Sequence, residues 1–128
     1  MSNRYACLLT HNALSTKQIG DHAEMIARRY LERHGLSFIT ANYRCKCGEI
    51  DLILKEHQTW IFVEVKYRAQ QNFGTPTEQY TVTKQRRLNN AVRLFLLDNQ
   101  LNEFHTPIRI DVVGVSDTTI EWIKNVTG

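Results

Sequence analysis

Apolar residues recur at three- and four-residue spacing after Ser15, at Ile19, Ala23, Ile26, Ala27, Tyr30 and Leu31, and mark one buried stripe of a helix running to about His34. Ser15 or Thr16 can cap its start and Gly35 stops it. Residues 1–14 carry no clear period and read as a loose lead-in. Beyond the helix the period changes toward two. A loosely alternating run over 36–46, the run from Ile50 to Leu54, a polar turn over 55–59 and a strand from Trp60 to Lys66 predict a meander. Gly74-Thr75-Pro76 marks a loop. A second helix, from about Thr77 to Asp98, carries Leu88, Ala91, Val92, Phe95 and Leu96 on its core face. Pro107 then opens a strand from Ile108 to Val115, and Asp117-Thr118 turns into a short one from Thr119 to Ile123. The order α-β-β-β-α-β-β predicts an α/β domain. With no repeat, linker or low-complexity tract, residues 15–128 read as a single domain.

Charge inside two of these strands changes the picture. Along Ile61-Phe62-Val63-Glu64-Val65-Lys66 strict alternation puts Glu64 and Lys66 on the face of Phe62, and leaves Ile61, Val63 and Val65 as a face of pure core. Burying a carboxylate without a partner costs several kcal/mol, so an acid in such a run needs a cation, most simply a metal ion. If the first helix packs on the meander, Glu24 joins Asp51 of the second strand and Glu64 and Lys66 of the third. Mg²⁺ or Mn²⁺ takes oxygen ligands and keeps several waters, so two or three carboxylates would hold it open to a substrate phosphate. A neighbouring ammonium would orient the attacking water or stabilise charge that develops on the phosphate. A half-exposed sheet in which Lys66 merely pairs with one acid accounts for the same alternation.

Composition adds bounds rather than a function. A chain of 128 residues, 42% hydrophobic, builds one core, and a formal charge of +3 permits a polyanionic partner without requiring one. Three cysteines, Cys7, Cys45 and Cys47, are an odd number that argues against a disulfide framework and for a reducing cytosol. Cys45-Lys46-Cys47 is weak evidence for zinc, and both cysteines read as local variation. No run approaches the roughly 20 apolar residues of a membrane span, so the expectation is a cytoplasmic protein without membrane contact. Lys84 falls on the apolar stripe of the second helix and should point across the sheet toward the acids. With Arg68, Arg86 and Arg87 it forms a candidate phosphate-binding rim, although a solvated helix surface explains the arginines equally well. Glu49 stays outside the metal set, Gln79 and Tyr80 are candidates for positioning substrate, and Arg109 and Asp111 read as a structural ion pair. Leu94 and Leu97 could form a dimer contact or cover the core.

The strings Gly20…Ala23-Glu24…Ala27…Tyr30-Leu31…Gly35, Asn42-Tyr43-Arg44, Gly48-Glu49-Ile50-Asp51-Leu52-Ile53, Phe62-Val63-Glu64-Val65-Lys66-Tyr67-Arg68, Phe73-Gly74-Thr75-Pro76 and Lys84…Arg87-Leu88 together resemble the YraN family of small uncharacterised bacterial proteins, over roughly residues 19–115. That resemblance implies a restriction-endonuclease-like fold, a central mixed β-sheet flanked by helices, with a PD-(D/E)XK site similar to that of archaeal Holliday junction resolvases. Asp51, Glu64 and Lys66 match the D…(D/E)-x-K positions, Glu24 matches the extra helix acid, and Ile50 stands where the motif has proline. The implied activity is metal-dependent hydrolysis of DNA, with branched or junction DNA in repair or recombination as substrate and a two-fold dimer as a suitable assembly. A non-catalytic nucleic-acid-binding or accessory protein on a nuclease scaffold is the alternative.

Overall fold

The computed structural model describes residues 15–68 and 80–126, so the lead-in over 1–14, the loop over 73–76 and Gln79 lie outside the described residues. Helix α1, Thr16–Arg33, opens with a capping box: the Ser15 side chain accepts from the Gln18 backbone, and the Gln18 side chain accepts from the Ser15 backbone. It closes in a Schellman turn. Leu36 and Gly35 donate to the Leu31 and Glu32 carbonyls, and Gly35 sits at φ 95°, where a side chain would be strained. The expected start and stop of this helix are therefore both observed.

Strands β1 (Ser37–Cys45), β2 (Gly48–Glu56) and β3 (Thr59–Arg68) form the expected meander, and β4 (Ile108–Ser116) and β5 (Ile120–Ile123) complete a five-stranded sheet in sequential order. All neighbours are antiparallel except β3 and β4, which run parallel from Trp60↔Ile108 to Arg68↔Ser116. A parallel neighbour requires a crossover, and helix α2, Val82–Asp98, lies within it. The element order and the mixed sheet thus match the sequence reading. The start of α2 does not: the helix begins at Val82, after an N-cap at Thr81 whose hydroxyl accepts from the Lys84 backbone. The apolar period over 88–96 carries no signal for the first turn, whereas the capping hydroxyl does.

Each sheet face carries one helix. Ala23, Ile26, Ala27 and Leu31 of α1 pack on Leu52, Leu54, Ile61, Val63, Val113 and Val115; Leu88, Ala91, Val92, Phe95 and Leu96 of α2 pack on Ile50, Ile53, Phe62 and Ile110. The face of Ile61 and Val63 is core, as expected, but the Phe62 face is core as well until Glu64. Helix α2 runs antiparallel to β3. Its far end sets the Phe95 ring against Trp60 and Phe62, at centroid distances of 5.5 and 5.7 Å. Its first turn is consequently carried toward the other end of β3, where Glu64 and Lys66 emerge.

Arg109 and Asp111 form the expected structural pair. Asp111 is fully buried and accepts two bonds from the Arg109 guanidinium at 2.9 Å, one from the Trp122 indole at 2.8 Å and one from the Asn125 backbone at 2.9 Å. Four donors replace the water that this carboxylate gives up, and they tie β4, β5 and the C-terminal segment together. The cysteine reading needs correction: Cys45 and Cys47 are joined by a disulfide. An odd count excludes complete pairing of three cysteines, but it cannot exclude a bridge between two that flank one residue in a tight turn.

Candidate active site

Asp51 occupies a break in the sheet on both of its sides. Toward β1, the pairs Ala41↔Leu52 and Tyr43↔Ile50 are formed, and between them Asn42 turns to φ 57° opposite Asp51. Asparagine tolerates this left-handed conformation better than most residues. The consequence is a switch of face: Ala41 and Leu52 pack beneath α1, whereas Tyr43 and Ile50 pack beneath α2. Simple alternation from Asp51 to Glu49 therefore does not hold, and Glu49 instead reaches Arg44 on the exposed hairpin at 3.2 Å. Toward β3, the last pair is Leu52↔Val63, and beyond it the Asp51 carboxylate accepts from the Val65 backbone at 2.8 Å. A side chain thus replaces the next ladder bond, and it fixes the carboxylate at the fork between the strands.

The environment of that carboxyl is hostile to charge. Burial first, and then the nearby Glu64 carboxylate, push the Asp51 pKa up from 3.8 to about 7; the Val65 bond opposes them, and Glu24 and Glu49 add smaller upward pushes. Glu24, on α1, is likewise raised by burial, against the lowering effect of a hydrogen bond with the Asn42 side chain. Asn42 stands in the Asn42-Tyr43-Arg44 string without an assigned role; an asparagine inside a strand pattern, suited to a left-handed break, is the physical signal for it.

Glu64 and Lys66 form an ion pair at 2.8 Å, with side chains only 15% and 16% exposed. Lys84 of α2 does reach toward the acids, as the stripe predicted, and its ammonium stands beside that of Lys66. Burial opposes the charge on Lys66, yet the Glu64 and Lys84 contacts and the charges of Glu64 and Asp51 hold its pKa above the ordinary lysine value. Lys84 is held below that value, chiefly by Lys66. Two ammonium groups in contact favour an anion between or beside them. Tyr80 adds a hydroxyl that is buried without a hydrogen-bond partner among the described residues; burial and the Glu64 charge raise its pKa to about 12.

The remaining basic residues separate. Arg68 lies at the end of β3, 15% exposed, 3.8 Å from Glu121, and its Nε has no hydrogen-bond partner among the described residues. Arg87 is exposed, but its backbone abuts Gly48. Arg86 lies two residues from Lys84, roughly 200° around the helix. It lines an outer groove of about 340 Å³ with Val82, Gln85, Asn89, Asn90 and Arg93 rather than joining the acids. The single rim expected from sequence is therefore two surfaces, separated by the width of α2.

The site fits a hard divalent cation in donor chemistry: the charges of Glu64 and Glu24 push the Asp51 pKa up, and a bound cation would remove that repulsion. Glu24, Asp51 and Glu64 would supply the oxygens. Among the described residues no three His, Cys, Asp or Glu side chains are gathered closely enough to grip an ion as they stand, and Glu64 is committed to Lys66. Binding would require Glu64 to exchange that partner.

Fold and site together describe a small mixed α/β domain with an acid and lysine centre at a sheet fork. Residues 23–115 match the model of the Uncharacterised protein family UPF0102, and the chain belongs to that family. It is 44% identical over 108 residues to a UPF0102 protein of Aliivibrio fischeri, covering 83% of this chain and 88% of the relative. It is 41% identical over 114 residues to one of Photobacterium profundum (88% and 91% covered) and 40% identical over 112 residues to one of Serratia proteamaculans (88% and 96%). The family read from the motif strings is thereby established. None of these relatives carries an activity in its name.

Proposed function

We propose that this protein is a metal-dependent endonuclease that hydrolyses DNA phosphodiester bonds, with branched or junction DNA as the preferred substrate in repair or recombination. The observation that carries the reading is the position of Asp51: a carboxylate fixed at a strand fork, pushed to about 7 by burial and Glu64, close to a pair of lysines. A structural carboxylate would be satisfied by its neighbours, as Asp111 is by four donors; Asp51 accepts, among the described residues, from the Val65 backbone alone. Its likeness to the PD-(D/E)XK pattern of restriction-endonuclease-like proteins and archaeal resolvases supports the same conclusion.

Glu24, Asp51 and Glu64 would hold Mg²⁺ or Mn²⁺, which when bound supplies an acidified water and neutralises charge on the phosphate. Lys66 would orient the attacking water and stabilise charge on the phosphate oxygens. Lys84 contacts the same phosphate from the opposite element. Arg68 holds the flanking backbone, and Arg86 and Arg87 engage phosphates farther along. No helix among the described residues is long and apolar enough to cross a membrane. Leu97, 73% exposed, offers part of a contact for a homodimer, which two symmetric cuts in a junction would need.

The test is calorimetric titration of Mn²⁺ into wild type and Asp51→Ala, followed by incubation of both with linear and four-way-junction DNA. Wild type should bind the metal and cleave, and the variant should do neither. Metal-dependent cleavage that persists in the variant would refute the assignment. The salt bridge that occupies Glu64 favours one other reading, a non-catalytic DNA-binding protein on this scaffold. It predicts salt-dependent DNA binding that is insensitive to Asp51→Ala, with no cleavage.

A further inference from the structure

The Cys45-Lys46-Cys47 bridge lies in the β1–β2 turn, and a continuous series of contacts connects it to the first turns of α2. Cys45 packs against the core cluster beneath α2, and its Sγ lies 3.4 Å from the Gly48 carbonyl oxygen. Gly48 is buried and has no room even for a methyl group, because a Cβ there would lie 2.8 Å from the Arg87 carbonyl carbon. Arg87 is one helical turn beyond Lys84, whose ammonium meets Lys66. The turn and the helix start are therefore in rigid contact.

We propose that Cys45 and Cys47 are a reversible thiol–disulfide site that governs how tightly the hairpin holds the start of α2. Three features support this. The loop closed by the bridge contains a single residue, so the bridge removes little entropy from the unfolded chain and acts on the turn rather than on global stability. The pair is partly exposed, as exchange requires. Lys46, exposed, stands between the two cysteines in the chain and places a positive charge next to them, which favours the thiolate that exchange needs.

The co-reactant is a low-molecular-weight monothiol of the glutathione class. Its thiolate attacks Cys47 Sγ, the sulfur not packed against the core; a mixed disulfide forms and the Cys45 thiolate leaves and takes up a proton. A second monothiol thiolate attacks the mixed disulfide and releases the Cys47 thiolate together with the symmetric disulfide of the monothiol. Two monothiols are oxidised as one protein disulfide is reduced. In the dithiol state Cys45 can donate to the Gly48 carbonyl, but it no longer restrains Cys47.

This inference is independent of the proposed reaction, and its test reads structure rather than cleavage. The protein in a Cys7→Ser background is equilibrated in stepped ratios of reduced to oxidised glutathione, alkylated and weighed, and amide exchange is followed in both states. A reversible two-electron transition within the glutathione range is expected, with amides of residues 86–88 exchanging several-fold faster when reduced and those of residues 96–98 unchanged. The additional pair Cys45→Ser and Cys47→Ser should show the faster rate in every buffer. A pair that stays in one redox state throughout, or equal exchange over residues 86–88 in the two states, would overturn the proposal.

Discussion

Asp51→Asn isolates the free energy stored at the sheet fork. The Asp51 carboxyl is raised from 3.8 to about 7, so between these values the folded protein holds a proton that the unfolded chain has released. Stability gained from this group is fully present below pH 3.8, declines as pH rises through the window, and is gone above pH 7. At roughly 1.4 kcal/mol per unit, the ionised carboxylate costs the native state on the order of 4 kcal/mol at pH 8, as an upper bound that water entry and sharing with Glu64 reduce. Asparagine is neutral at every pH and retains an oxygen to accept from the Val65 backbone, so it removes the cost and keeps the bond. Urea denaturation in EDTA should find Asp51→Asn more stable than wild type by about 1–4 kcal/mol at pH 8 and within error of it near pH 4. Equal stability at pH 8, or a difference independent of pH, would refute the electrostatic account of this site. Adding Mn²⁺ at pH 8 should stabilise wild type and leave the variant unchanged, because only the carboxylate gains from the cation.

Other changes probe the supports around that site. Gly48→Ala forces the hairpin away from the Arg87 backbone and should lower stability by about 1–3 kcal/mol, measured by thermal denaturation. Asp111→Ala leaves the Arg109 guanidinium and the Trp122 indole without their shared acceptor; a loss of about 3–5 kcal/mol is expected, and a change under 1 kcal/mol would show that water replaces the carboxylate. Lys84→Met should preserve the fold, judged by circular dichroism, while weakening DNA binding and cleavage about tenfold or more, since the methionine keeps the stem and removes only the ammonium. Arg86→Ala should weaken binding without altering the cleavage rate of bound DNA, because Arg86 lies on the opposite side of α2 from Lys84.

Much of the site was legible because charge in an apolar strand violates its own pattern. Glu64 and Lys66 stand out after Phe62 and Val63, and Lys84 stands out on the stripe of Leu88, Ala91 and Val92. Period and parity alone put all three on the sheet-facing sides of their elements. Arg86 was not legible in this way: proximity in sequence on a helix does not imply a shared face, and two steps of 100° carry it to the side away from Lys84.

The sequence alone determined the order of elements, the caps of α1 and the identity of the core residues, because hydrophobic period and capping chemistry are local properties of the chain. It also determined the family, through motif strings that are specific at fixed spacing. Tertiary structure decided the rest. The switch of face at Asn42, the exchange of a ladder bond for the Asp51 carboxylate, the burial that raises its pKa, and the contact of the cysteine turn with α2 all join residues distant along the chain. Such contacts depend on how strands diverge and helices dock, and no local pattern records them.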